Sequence, residues 1–207
     1  MKDIAVNKDL ANPLNPAAAL AAEPSTRVSA GLRFAGIVLA GSAFVAVCAH
    51  IALPLYFTPV PLSMAPFAVL VLGLILSPRL AASTLAAYLM EGAMGLPVFS
   101  PSPAIPGYAH LIGPTGGYLL SYPLAAALIA LLVARFGRGF SASAFSAAIG
   151  SLVILACGAS WLAVLTHASV QSVLSLAVLP FLPGDALKIV AAAALSAGWI
   201  RLRRRSA

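Results

Sequence analysis

Charge is what this sequence lacks most: only 8% of its 207 residues are charged, and just five are Asp or Glu. Together with 61% hydrophobic residues and a mean hydropathy of +1.02, this excludes an ordinary water-soluble domain, in which about a quarter of residues are charged. Lipid is the expected solvent for most of the chain. Only two cysteines occur, Cys48 and Cys157, both inside apolar runs, where a small soft side chain packs rather than reacts. They say little about redox compartment. There is no G-x-x-x-x-G-K-[ST] phosphate loop, no G-x-S-x-G, no H-E-x-x-H and no Ser/His/Asp set, so neither an ATPase nor a hydrolase is expected in this chain. His50, His110 and His167 are dispersed and lack the i, i+3 or i+4 partners of a metal site; each is expected to be an interface or packing residue, and no metal or cofactor is indicated. The net charge of +7 comes without a basic run interleaved with aromatics, which argues against nucleic acid.

What the chain does have is long apolar runs: Phe34 to Leu55, Val60 to Leu76, Leu80 to Leu96, Gly117 to Ala134, Ala144 to Thr166 and Gly184 to Ile200. A bilayer core takes roughly 20 mostly apolar residues per helix, so these read as six transmembrane helices of an all-α, multi-pass protein of the cell's inner (plasma) membrane. Residues 1–26 are polar, with no apolar core of signal-peptide type, and are expected to form a flexible tail before a membrane domain over 27–207. Short-loop arginine and lysine favour the cytoplasmic side. Arg27 and Arg33 precede span 1, Arg79 separates spans 2 and 3, Arg135 and Arg138 separate spans 4 and 5, and Arg201, Arg203, Arg204 and Arg205 follow span 6. The remaining loops carry neither lysine nor arginine, which predicts both termini in the cytoplasm. Trp199 then falls at an interface.

The outward connections are rich in proline. "ALPLYFTPVPLSMAPF" holds Pro54, Pro59, Pro61 and Pro66, and each proline removes a donor and clashes with the preceding turn; span 2 is expected to begin irregularly. "GLPVFSPSPAIPGYAHLIGPTGG" follows span 3 without charge or periodicity. Long connections of this kind are lids or binding loops, and irregular backbone at membrane depth is tolerated only when buried in protein or lining a cavity. A cavity opening outward is the expectation.

Within the spans the ionisable residues are Glu91, Asp185 and Lys188. Each costs several kcal/mol in lipid unless paired or solvated. Asp185 and Lys188, at i and i+3 in "LPGDALKIV", share a helix face and offer one acceptor and one donor to a small polar ligand. The plainer reading is a structural ion pair. At the start of span 4, "GPTGGYLLSY" places Gly116 and Gly117 where backbone can approach a ligand, with Tyr118 and Tyr122 on one face; the plainer reading is a turn followed by interfacial tyrosines. Glu91 could face a cavity or reach the headgroups. Small residues four apart in span 1, Gly36 with Ala40 and Ser42 with Ala46, allow close helix packing, either internal or against another membrane subunit.

Four ordered motifs, "TPVPLSM", "GLPVF", "GPTGGYLLSY" and "PFLPGDALK", resemble the BioY family of biotin-specific substrate-binding subunits (S components) of energy-coupling-factor vitamin importers. The resemblance implies six helices and an outward-facing biotin site under the loop after span 1. It also implies uptake powered by a separate transmembrane coupling subunit and two cytoplasmic ATPase subunits. Carried over by motif, Asp185 and Lys188 hold the polar head of biotin, Phe57, Met64, Phe99 and Tyr118 lie against its apolar parts, Gly116 and Gly117 line the pocket, and the small-residue face of span 1 docks the coupling subunit. The chain departs from the family pattern at Ala65, where Gln is common, and in "SPSPAIPGYAH", where a glycine-rich, often Asn-bearing stretch is usual; it has no Asn after residue 15. The alternatives are the same architecture with another small vitamin, or a membrane enzyme or assembly factor.

Overall fold

The structure, a computed structural model, describes the backbone of residues 16–101 and 107–205 and the side chains of 29–101 and 107–199. Among the described residues it is all-helical apart from one two-stranded ribbon. The chain divides into two compact units, Met1–Ile37 and Val38–Ala207. Helix α1, Pro16–His50, begins in the first unit and ends in the second. Of the tail expected over 1–26, residues 1–15 lie outside the described residues, as do the side chains of Arg27 and of Arg201, Arg203, Arg204 and Arg205.

After α1 come strands β1 (Ala52–Leu53) and β2 (Leu62–Ser63), then helices α2 (Ala65–Ile75), α3 (Pro78–Ala93), α4 (Ala109–Ile112), α5 (Gly116–Phe136), α6 (Phe140–Thr166), α7 (Val170–Ala177) and α8 (Leu182–Arg205). Prolines punctuate this order where backbone geometry requires it. Pro66 sits in the first turn of α2 and Pro78 in the first turn of α3, where a missing N–H costs nothing. Ser77, ahead of Pro78, is held extended with ψ 156°, as steric clash with the proline ring demands. The turn between α2 and α3 is therefore sharp.

Helix α5 is the hub, packed against α2, α3, α4 and α6, while α8 closes the bundle against α2 and α6. One core cluster includes Val45, Val69, Leu85, Tyr88, Tyr122, Ala125 and Leu155; a second, of Leu70, Leu74, Ile129, Val133, Ala147 and Ala192, joins α2, α5, α6 and α8; a third, of Leu162, Val173 and Ala177, fixes α7 to α6. The outward faces are equally apolar: Leu131, Leu152, Val164 and Leu187 are all more than half exposed. Buried hydroxyls, among them Ser42, Thr84, Ser121, Ser146 and Ser151, lie inside. An apolar exterior around an interior dotted with small polar groups is the arrangement a lipid solvent favours.

Among the described residues three helical stretches are long and apolar enough to cross a membrane, Ser29–His50, Gly116–Phe136 and Phe140–Thr166; Val170–Ala177 and Leu182–Trp199, bent by 50°, make a fourth if taken together. The sequence predicts six. The difference lies in α2 and α3, whose 11 and 16 residues fall short of the roughly 20 that one span requires. At 1.5 Å per residue α2 is only about 16 Å long, because Pro59, Pro61 and Pro66 keep the preceding segment from coiling. The irregular start expected for span 2 is thus an extended segment followed by a short helix.

Candidate functional site

The segment between α1 and α2 is pinned at its base. Ala52 pairs with Ser63 and Leu53 with Leu62 in antiparallel register, and the Met64 N–H donates to the Ile51 carbonyl over 3.0 Å. Ser63 Oγ donates to the Ala49 carbonyl and accepts from the Ala65 N–H, which ties the start of α2 to the end of α1. The eight residues between the strands form a loop with an exposed tip at Tyr56 and Phe57 and an inward limb at Thr58 and Val60.

Beneath that limb lies a cavity with about 850 Å³ of empty space, its open mouth included. The loop contributes Pro59, Val60 and Pro61; α2 and the residue two before it contribute Ser63, Ala65 and Pro66. Helix α5 supplies Tyr118, Leu119 and Tyr122, α6 supplies Ile154 and Leu155, and α8 with the residue before it supplies Phe181, Asp185 and Lys188. Tyr88, Phe99, Ser100, His110, Pro114 and Thr115 complete the wall. The aromatic side is built by contact in series. Tyr88 meets Phe99 edge-on with centroids 5.3 Å apart, and Phe99 meets His110 at 5.5 Å. The Tyr88 hydroxyl donates to the Val98 carbonyl, which satisfies its polar group and leaves the ring as apolar surface.

The charged side is compact. Lys188 Nζ donates to Asp185 Oδ1 over 3.1 Å, and both residues are only 7% exposed. Ser151 Oγ, from α6, donates to the other carboxylate oxygen over 3.2 Å. The pair has no net charge and lies in the cavity wall, so it can present an acceptor and a donor side by side to a polar, uncharged group.

Of the residues singled out from sequence, Asp185, Lys188, Tyr118 and Phe99 converge on this cavity. Tyr122 joins them in the wall, whereas Phe57, Met64, Gly116, Gly117 and Glu91 lie elsewhere. Phe57 is exposed on the loop tip, and Met64 packs partly buried against the core between the wall residues Ser63 and Ala65. Gly116 and Gly117 do approach a neighbour closely, but it is protein: a Cβ on Gly117 would overlap Trp161, and one on Gly116 would overlap the Leu111 carbonyl. Trp161 is held there by its Nε1–H, which donates to the Gly113 carbonyl over 2.9 Å. Glu91 is engaged with span 1, since Ser42 Oγ lies 2.8 Å from Glu91 Oε1. Ser42 is accordingly buried and Ala46 packs on the core, whereas Gly36 and Ala40 are exposed. His110, expected to be an interface or packing residue, does pack on Phe99 and also lines the cavity. Tyr88, Ser151 and Phe181 do not stand out in the sequence, because an aromatic or a serine in an apolar run reads as ordinary core.

An apolar-surfaced helical bundle with an aromatic-walled cavity and a buried ion pair in that wall defines a multi-pass membrane protein with a site for a small molecule. The sequence profile of the BioY family matches residues 22–205, and the chain belongs to that family. It is 37% identical over 134 residues to the probable biotin transporter BioY of Pyrococcus horikoshii, covering 65% of this chain and 76% of that one. It is 33% identical over 163 residues to the biotin transporter BioY of Thermotoga maritima, covering 79% and 91%. The fold is shared with a crystal structure of the S-component for biotin from an ECF-type ABC transporter, with a TM-score of 0.75, 22% identity and coverage of 85% of this chain and 93% of that one.

Proposed function

We propose that this chain is the biotin-binding membrane subunit of an ECF-type importer and has no catalytic role of its own. The observation that carries the reading is the Asp185–Lys188 pair, buried in the wall of an aromatic-lined cavity in a chain of the BioY family. The ureido head of biotin is neutral and offers both N–H donors and a carbonyl acceptor. Asp185 accepts from a ureido N–H, and Lys188 donates to the ureido oxygen. The thioether ring and valeryl chain lie against Tyr88, Phe99, Tyr118 and Phe181. Where the family pattern has Gln and Asn, this chain offers Ser63, Ser100, His110 and Thr115 in the cavity wall as contacts for the tail.

The chain crosses the membrane six times with both termini in the cytoplasm. Helix α2 completes its crossing through the extended segment before it, and α7 and α8 share one broken span. Uptake is energised by a transmembrane coupling subunit, which docks on the exposed small residues Gly36 and Ala40 of α1, and by two cytoplasmic ATPase subunits. The test is titration of the detergent-purified full chain with biotin, lipoate and thiamine, alongside mass spectrometry of any ligand that copurifies. Saturable biotin binding that the other vitamins do not displace is expected; preferential binding of another vitamin, or of none, overturns the reading.

A further inference from the structure

We infer that Ser151 is a positioning residue that aims the Asp185 carboxylate at the ligand, an inference that rests on the reading of Asp185 and Lys188 as the head-binding pair. Ser151 is 5% exposed and is not part of the cavity wall, so it acts through Asp185 and not by touching the ligand. Its hydrogen bond, like that of Ser42 onto Glu91, runs to a carboxylate on another helix. A serine or threonine inside an apolar helix ordinarily bonds back to the carbonyl four residues earlier, and Thr84, Ser146 and Thr166 do so, donating to Leu80, Ala142 and Leu162. Ser151 instead donates across to another helix, onto Asp185 Oδ2.

The consequence for Asp185 is geometric. Lys188, one turn along the same helix, holds Oδ1, and with that bond alone the carboxylate could still rotate about Cβ–Cγ. A second donor from α6 on the second oxygen fixes the carboxylate plane and occupies one acceptor direction on each oxygen. The lone pairs left over are the ones available to ligand N–H groups. A site whose polar groups are held in place before binding loses less in ordering them. Ser151 is therefore part of the head-recognition apparatus although no ligand atom reaches it.

The test is a double-mutant cycle on the full chain in detergent, read as the dissociation constant for biotin, with Ser151→Ala, Asp185→Asn and the double variant, and with thermal melting as a folding control. Ser151→Ala is expected to weaken binding about tenfold, Ser151→Thr to recover most of that loss, and Ser151→Ala to add nothing once Asp185→Asn is present, because coupled positions are not additive. Equal losses from Ser151→Ala in both backgrounds would show that the serine acts on the fold and not through Asp185, and would overturn the inference. So would wild-type affinity in Ser151→Ala. A wild-type chain that binds no biotin would instead overturn the functional reading itself, which separates the two failures.

Discussion

The Tyr118 hydroxyl donates to the Ala177 carbonyl over 2.7 Å, joining the first turn of α5 to the last residue of α7. The last carbonyls of any helix lack partners inside it, and α7 is only eight residues long. The bond therefore holds the end of α7 at the break that leads to Phe181 and Asp185. The same tyrosine ring faces Phe181, with centroids 6.3 Å apart. Tyr118 thus lines the cavity and fixes the segment that brings α8 to it. Tyr118→Phe keeps the ring and removes the bond, which is worth about 1 kcal/mol. Hydrogen–deuterium exchange should show faster exchange in α7 and across 178–181, with a modest loss of ligand affinity. Unchanged exchange in α7 would show that the bond does not hold that segment.

Gly92 tests whether the aromatic wall can be moved from behind. A Cβ at this position would overlap the Phe99 ring, and Phe99 cannot retreat freely because Tyr88 and His110 flank it. Overpacking of this kind costs about 1–3 kcal/mol. Gly92→Ala should displace Phe99, change the shape of the cavity and lower ligand affinity although position 92 lies outside the cavity wall. Phe99→Leu in the same background should return part of the affinity by making room. An unchanged dissociation constant for Gly92→Ala would refute the wall's rigidity.

How far the sequence revealed this site depended on rarity. Asp185 and Lys188 stand out because intramembrane charges are scarce, and their i, i+3 spacing alone puts them on one face of a helix. Phe99 and Tyr118 come from motifs. Phe181 lies in the motif "PFLPGDALK", yet neither it nor Tyr88 stands out as a wall residue, since a cavity wall made of aromatics has the same composition as a packed core. Helix α7 was legible in principle: Val170, Val173, Leu174 and Ala177 fall at i, i+3, i+4 and i+7, and Ser169 caps the first turn by accepting from the Ser172 N–H. Its eight residues are hidden in a proline-ended apolar stretch too short to read as a span. Gly116 and Gly117 illustrate a different limit, because the sequence shows that backbone approaches something closely but not whether that is a ligand or, as here, Trp161.

Ser143 offers a stability prediction away from the site. Its Oγ is buried with no hydrogen-bond partner among the described residues, near the start of α6. An unsatisfied buried hydroxyl costs about 1–3 kcal/mol, and alanine removes the hydroxyl while improving helix propensity. Ser143→Ala should raise the thermal melting temperature in detergent and leave ligand affinity unchanged. A lower melting temperature would show that the hydroxyl is satisfied inside the bundle, as by a buried water, and would overturn the prediction.

The ion pair itself separates stability from function. Removing one partner of a buried pair leaves an uncompensated charge and costs about 3–5 kcal/mol, whereas replacing both by apolar residues of similar volume is often neutral or stabilising. Lys188→Met alone should therefore destabilise the chain markedly, because the Ser151 hydroxyl, a neutral donor, cannot balance the charge left on Asp185. The double variant Asp185→Leu with Lys188→Met should recover most of the lost melting temperature. If the pair is only structural, the double variant should bind ligand as the wild type does. If it is the recognition element, stability returns and affinity does not, and that divergence between a melting curve and a binding isotherm from the same preparation is the outcome expected.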